Sequence, residues 1–210
     1  MGTTRIPDFP EATRRTGTVA LASGVAVAAI LGIDALSGWT RRPLPVAAVA
    51  DETAHLLTAF VVLLAVPFPL PRRFVLAALA ASVAIDLDHL PLVLGSDALT
   101  RDTARPLTHG LLLVAGLLVA AARLTPRGRA VALGAAAGVL AHLVRDAAST
   151  PAGVPLAWPV STHGFSLPYS TYLAALTCCA VFASVRVALL PGSLWWTTTE
   201  QAAARTLSGK

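Results

Sequence analysis

Apolar residues fall into six long runs, at 18–36, 46–67, 74–94, 107–124, 130–148 and 167–190, divided by short stretches rich in proline, glycine and arginine. As helices, these runs are about long enough to cross roughly 30 Å of hydrocarbon. The pattern predicts an all-α protein, a polytopic membrane helical bundle of about six transmembrane helices. Arg41, Arg42, Pro43 and Pro45 break the chain after the first run, with Trp39 at an interface. Pro69, Pro71, Arg72 and Arg73 break it again, as do Pro126, Arg127, Gly128 and Arg129. Pro106 suits the first turn of the fourth helix. The first run is longer than the 7–15 residues of a signal-peptide core, so a retained helix is expected. Pro7 and Pro10 discourage helix before it.

The predicted organisation is a cytoplasmic tail over 1–16, one transmembrane domain over 17–192 and a second cytoplasmic tail over 193–210. Residues 150–165, with three prolines and two glycines, read as a structured loop that dips partly into the membrane. Trp195 and Trp196 read as an interfacial anchor.

Composition agrees with the pattern. The chain is 55% apolar and only 13% charged, where soluble domains run near a quarter charged. A net charge of +5 raises the question of nucleic acid, yet no basic run with interleaved aromatics is present. The arginines come instead in short groups between apolar runs, as in membrane topogenesis. The expected partner is therefore the lipid bilayer, with no nucleic acid. An N-in, C-in topology puts eleven of the sixteen basic residues on the cytoplasmic side and five outside. Cys178 and Cys179 are neighbours on a helix, about 100° apart, a poor disulfide and a poor metal pair.

In this topology the acids and histidines segregate. Asp51, Glu52 and His55 begin the second run, and Asp86, Asp88 and His89 end the third. His109 begins the fourth, and His142 and Asp146 end the fifth. All of them fall on the outer side, together with His163, Asp34, Asp97 and Asp102. A carboxylate within a spanning segment costs roughly 2.5–3.5 kcal/mol on insertion scales, so a compensating cation is the simplest account. Asp51 with His55 and His142 with Asp146 are spaced i, i+4, and Glu52 with His55 i, i+3. An acid and an imidazole one turn apart can both reach a cation, or one can orient the other. Four helices that aim such residues at one cavity are how a bundle builds a di-metal site.

Blander roles are available for several of these residues. A single membrane histidine commonly bonds a neighbouring helix. Asp51 and Glu52 suit the interface, and Asp97 and Asp102 a solvated loop. Arg145 can snorkel, pair with Asp146 or hold a phosphate. His163 can be a ligand or a loop residue. Asp86-x-Asp88 lacks the third acid and the glycine of a calcium loop.

The order His55-Leu-Leu, Asp86-Leu-Asp88-His89, Arg105-Pro-Leu-Thr108-His109-Gly and Gly138-Val-Leu-Ala-His142-x-x-x-Asp146 resembles the YdjM-like family of membrane-bound metal-dependent hydrolases. The segment Thr150-Pro151-Ala-Gly153-Val-Pro155-Leu-Ala-Trp158-Pro159 is similar to that family's Thr-Pro-x-Gly-Val-Pro-Leu-x-Trp-Pro. The likeness covers roughly residues 50–168. It implies a hydrolase of the bacterial cytoplasmic (inner) membrane, related to zinc-dependent phospholipase C-like proteins. Three departures stand out. Ile85 replaces a proline, Ala104 and Pro106 replace a histidine and a glycine, and one residue is inserted before Thr150. The lost imidazole at 104 leaves His163 or Glu52 as stand-ins.

The expected function is thus a metal-dependent hydrolase, of phosphodiesterase or phospholipase type, working on a phosphoester or lipid-like substrate at the outer face. His55, Asp86, Asp88, His89, His109, His142 and Asp146 are the expected ligands of one or two divalent ions. Nitrogen and oxygen donors without thiolate suit zinc, with manganese and iron as alternatives. The expected catalytic groups are Asp88, Glu52 as general base, and Arg105 to hold an anionic group. A metal or proton transporter and an envelope protein with a structural metal are the competing classes. The inner halves of the helices are nearly pure Ala, Val, Leu and Gly, which disfavours transport.

Overall fold

The computed structural model describes residues 9–39, 43–97, 99–100, 103, 105–106, 108–189 and 196–197. The main helices are α1 (Phe9–Trp39), α2 (Leu44–Ala65), α3 (Arg72–Ala84), α4 (Leu90–Val93), α5 (Leu111–Arg123), α6 (Pro126–Ser149) and α7 (Tyr169–Leu189). A 3-10 turn over Ile85–His89 joins α3 to α4. Among the described residues, five helical segments are long and apolar enough to cross a membrane: Thr16–Ser37, Leu44–Ala65, Arg72–Val93, Pro126–Ser149 and Tyr169–Leu189. The protein is a polytopic helical bundle.

Three expectations need correction. The fourth run forms a helix only over Leu111–Arg123, about 20 Å at 1.5 Å per residue and short of a bilayer core. Pro106, Thr108, His109 and Gly110 stay outside the helix because Gly110 is extended and Leu111 bonds its backbone N–H to the Leu156 carbonyl. Pro10 does not keep helix away. It sits in the first turn of α1, where its missing N–H costs nothing. The chain also holds one short parallel pairing, Leu70–Pro71 with Trp196–Thr197. The expected marks at Arg41, Arg42 and Trp195, and most of both tails, lie outside the described residues.

The burial pattern is that of a membrane protein. Leu21, Val25, Val119 and Val181 are exposed, whereas His55, His142, Arg145 and Asp146 are buried. With lipid as the solvent, exposed leucine and valine carry no penalty, and polar groups must find partners inside. Cys178 and Cys179 are free thiols.

α6 is the central element. Thr125 caps its N-terminus through the Gly128 N–H, and Pro126 fills its first turn. Its buried face includes Ala132, Gly134, Ala136, Gly138, His142 and Asp146. Gly134 and Gly138, one turn apart, sit directly against the carbonyls of Phe74 and Ala78 on α3, where an added Cβ would overlap them. Two helices meet this closely only when no side chain stands between them. The approach puts the C-terminal end of α3, and the turn that follows it, beside His142.

Candidate metal centre

The site is assembled from four separate pieces of chain. α2 contributes Asp51, Glu52 and His55, and the 3-10 turn contributes Asp86, Asp88 and His89. Arg105 and His109 come from the stretch before α5, and His142 and Asp146 from the last turns of α6. In a 3-10 turn, residues i and i+3 eclipse, which puts Asp86 and His89 on one side. The Asp86 Oδ1 lies 3.3 Å from His89 Nδ1. Pro91, in the first turn of α4, ends the demand for backbone N–H donors there.

Asp86 is the hub. Its Oδ1 is 2.9 Å from His109 Nε2 and 3.5 Å from His142 Nε2. Asp88 faces the other nitrogen of His109, with Oδ2 3.3 Å from Nδ1. Its Oδ1 is 3.1 Å from His89 Nδ1. On the buried side, Asp146 Oδ2 is 3.4 Å from His142 Nε2 and 3.7 Å from His109 Nε2. Its Oδ1 is 3.5 Å from His55 Nε2. Glu52 places its carboxyl within hydrogen-bonding reach of Asp86.

His142 reveals the character of the site. Its Nδ1 is 2.9 Å from the carbonyl oxygen of Ser82. A carbonyl only accepts, so Nδ1 carries the proton. In a neutral imidazole Nε2 then presents a lone pair. That lone pair points at carboxylate oxygens of Asp86 and Asp146, and Nε2 has no hydrogen-bond partner. The same holds for both nitrogens of His55, both oxygens of Asp88 and Asp146 Oδ2. Buried polar atoms are ordinarily paired, and orphans of this kind mark an ion or a switchable proton. The His55 and His142 rings stack with centroids 3.7 Å apart and planes 12° from parallel. These buried His and Asp groups could hold a metal ion: Asp86, Asp88, His89 and His109 form one group, and His55, His142 and Asp146 another.

Exposure grades across the cluster. His55, His142 and Asp146 are fully enclosed, whereas the Asp51 side chain is half exposed and that of His89 about a quarter. Arg105 lies at the partly open edge, but its Nη2 donates to Asp146 Oδ1 at 3.1 Å and to Thr150 Oγ1 at 2.5 Å. Thr150 closes α6 and starts the loop that carries Val154, whose strand-like bridge to Phe165 ties the two arms of the loop together, while Leu167 bonds its backbone N–H to the Ala147 carbonyl of α6.

Other expected residues fall elsewhere. His163 is an exposed loop residue in neither group, and Asp97 is exposed. Asp102 and Ala104 lie outside the described residues. Arg145 neither snorkels nor pairs with Asp146. It is buried and forms a two-pronged bond with Asp34 of α1, at 2.7 and 3.1 Å. Tyr169 OH donates to the same Asp34 carboxylate at 2.6 Å. The Arg145 Nη2 is also 3.4 Å from Asp51 Oδ1, so the pair touches the edge of the cluster. Asp34, Tyr169 and the Ser82 carbonyl carried no pairing signal in the sequence. The only hint was that Asp34 stands at the polar end of its apolar run.

No curated protein and no solved structure proved similar to the chain. The family model described as the YdjM inner membrane protein matches residues 50–207, about three-quarters of the length. The match takes in every residue of the cluster and leaves out α1 with Asp34. With five helices able to span a bilayer, the chain is a multi-pass inner membrane protein and belongs to the YdjM family.

Proposed function

We propose that the protein is a membrane-embedded, metal-dependent hydrolase that acts on a phosphoester or lipid-like substrate at the outer face of the cytoplasmic membrane. The observation that carries the reading is His142, with Nδ1 committed to the Ser82 carbonyl and Nε2 turned toward Asp86 and Asp146. A ligating histidine commonly donates its other ring N–H to a backbone carbonyl in this way. Nitrogen and carboxylate donors without thiolate suit zinc, with manganese and iron as alternatives. His55, Asp86, Asp88, His89, His109, His142 and Asp146 would hold the metal. Such a cation supplies Lewis acidity and lowers the pKa of water toward about 7.

The protein groups supply the rest. Glu52, beside Asp86 but in neither ligand group, takes the proton that the attacking water gives up. Asp88 keeps a carboxylate 3.3 Å from His109 Nδ1. Arg105, at the partly open edge, holds the anionic group of the substrate while it also steadies Asp146. The graded exposure supports catalysis over a purely structural metal, since a catalytic site keeps one side open. Transport is disfavoured by the inner halves of the helices, which are nearly pure Ala, Val, Leu and Gly.

The test is metal content and phosphodiesterase turnover of the purified protein beside His142→Ala and Asp88→Ala. Loss of metal and turnover in the variants supports the reading. Equal metal and equal turnover in all three proteins would sink it. Unfolding by chelator, with no turnover on any phospholipid, would favour a structural metal that staples the bundle.

A further inference from the structure

The polar cluster holds more ligand atoms than one ion can use. We infer that it is a two-cation centre, in which Asp86, Asp88, His89 and His109 hold one divalent ion and His55, His142 and Asp146 hold a second. The inference rests on the metal-dependent reading above and assigns its stoichiometry.

Three observations carry it. First, the two sets share no residue, and within each set the ligand atoms lie within 4.8 Å of one another. A tetrahedral site uses four ligands, so seven side chains exceed one site and suit two. Each set also contains its own unpartnered buried atoms. In the first these are both oxygens of Asp88, His89 Nδ1 and His109 Nδ1, and in the second both nitrogens of His55, His142 Nε2 and Asp146 Oδ2. One ion in either set would leave the orphans of the other unsatisfied.

Second, each set has its own carboxylate charge to balance. Among the described residues, Asp86 and Asp88 of the first set find only histidines as ion-pair partners, and Asp146 of the second finds histidines and Arg105. Unpaired charge is costly at the membrane end of a bundle.

Third, carboxylates stand at the junction of the sets. Asp86 Oδ1, of the first set, is 3.5 Å from His142 Nε2 of the second. Asp146 Oδ2, of the second, is 3.7 Å from His109 Nε2 of the first. Asp51, His55 and Asp86 form a third, overlapping group. Shared carboxylates screen two neighbouring cations from each other. Such a pair suits in-line displacement at phosphorus, where attacking and leaving oxygens both gather charge, in keeping with the phosphoester substrate proposed above.

The experiment is a zinc titration of chelator-stripped, detergent-solubilised full-length protein, with bound metal counted by mass spectrometry after desalting. The wild type is expected to hold two equivalents. Asp88→Asn and His55→Gln are each expected to hold one, because each spares the other set. Because the wild-type count alone decides the stoichiometry, the inference stays exposed even if a variant fails to fold. One equivalent in the wild type overturns the two-cation centre and leaves the single-metal reading standing. Two equivalents that survive in both variants also overturn it, because the ions would then sit elsewhere. No binding of zinc, manganese or iron by the wild type overturns both this inference and the metal-dependent reading.

Discussion

Asp34 and Arg145, 111 residues apart, grip each other through two parallel hydrogen bonds inside the bundle. The pair joins α1 to α6, and Tyr169 of α7 adds a third helix. Removing one partner of a buried ion pair costs about 3–5 kcal/mol, while replacing both by apolar groups is often neutral. Asp34→Ala is therefore expected to destabilise strongly, and the double variant Asp34→Ala, Arg145→Met to recover much of the loss. Unfolding midpoints in a constant detergent check this. A double variant no better than Asp34→Ala would show that the pair is not the source.

The glycines of α6 set a second expectation. A Cβ at position 138 would overlap the Ala78 carbonyl, a backbone atom that cannot rotate away. Gly138→Ala should cost at least the 1–3 kcal/mol typical of an overpacked core, and Gly138→Leu should prevent assembly. Gly116, with open space around it, is the control, and Gly116→Ala should be neutral or slightly stabilising.

Glu52 gives a prediction that separates chemistry from binding. Glu52→Gln removes the proton acceptor beside Asp86 and leaves both ligand groups intact. Turnover should fall by about 10²–10⁴ with the metal content unchanged. A parallel loss of metal would make Glu52 a ligand instead of a base.

Metal affinity should also depend on pH in a definite direction. Protons compete for the imidazole nitrogens, since a ligating histidine must be neutral. Zinc affinity is expected to weaken as pH falls. The decline should be steeper than tenfold per unit where more than one imidazole must release its proton. Binding curves between about pH 5 and 8 check this, and a flat profile would exclude His55, His89, His109 and His142 as ligands.

Much of the architecture was legible because hydropathy alone sets spanning segments. The second, fifth and sixth runs became α2, α6 and α7 within a few residues at most ends. The convergence of Asp86, His109, His142 and Asp146 was legible too, because topology places alternate helix ends on one side. What stayed hidden depended on local backbone geometry or on distant partners. Hydropathy does not distinguish the 3-10 turn at Ile85–His89 from α-helix. Nor does it show that a contact with Leu156 delays the start of α5 to Leu111. The Asp34–Arg145 pair was invisible because neither residue has a sequence neighbour that betrays its partner, and the nearer Asp146 was the natural guess.

The dispersal of the ligands over four chain segments, from Asp51 to Asp146, has a temporal meaning. A ribosome-bound chain that has released only the first 125 residues carries the acids of α2 and the 3-10 turn but neither His142 nor Asp146. Of the two proposed cations, the one held by His55, His142 and Asp146 can load only after α6 is inserted, so a fully filled centre would certify that membrane integration of that helix is complete.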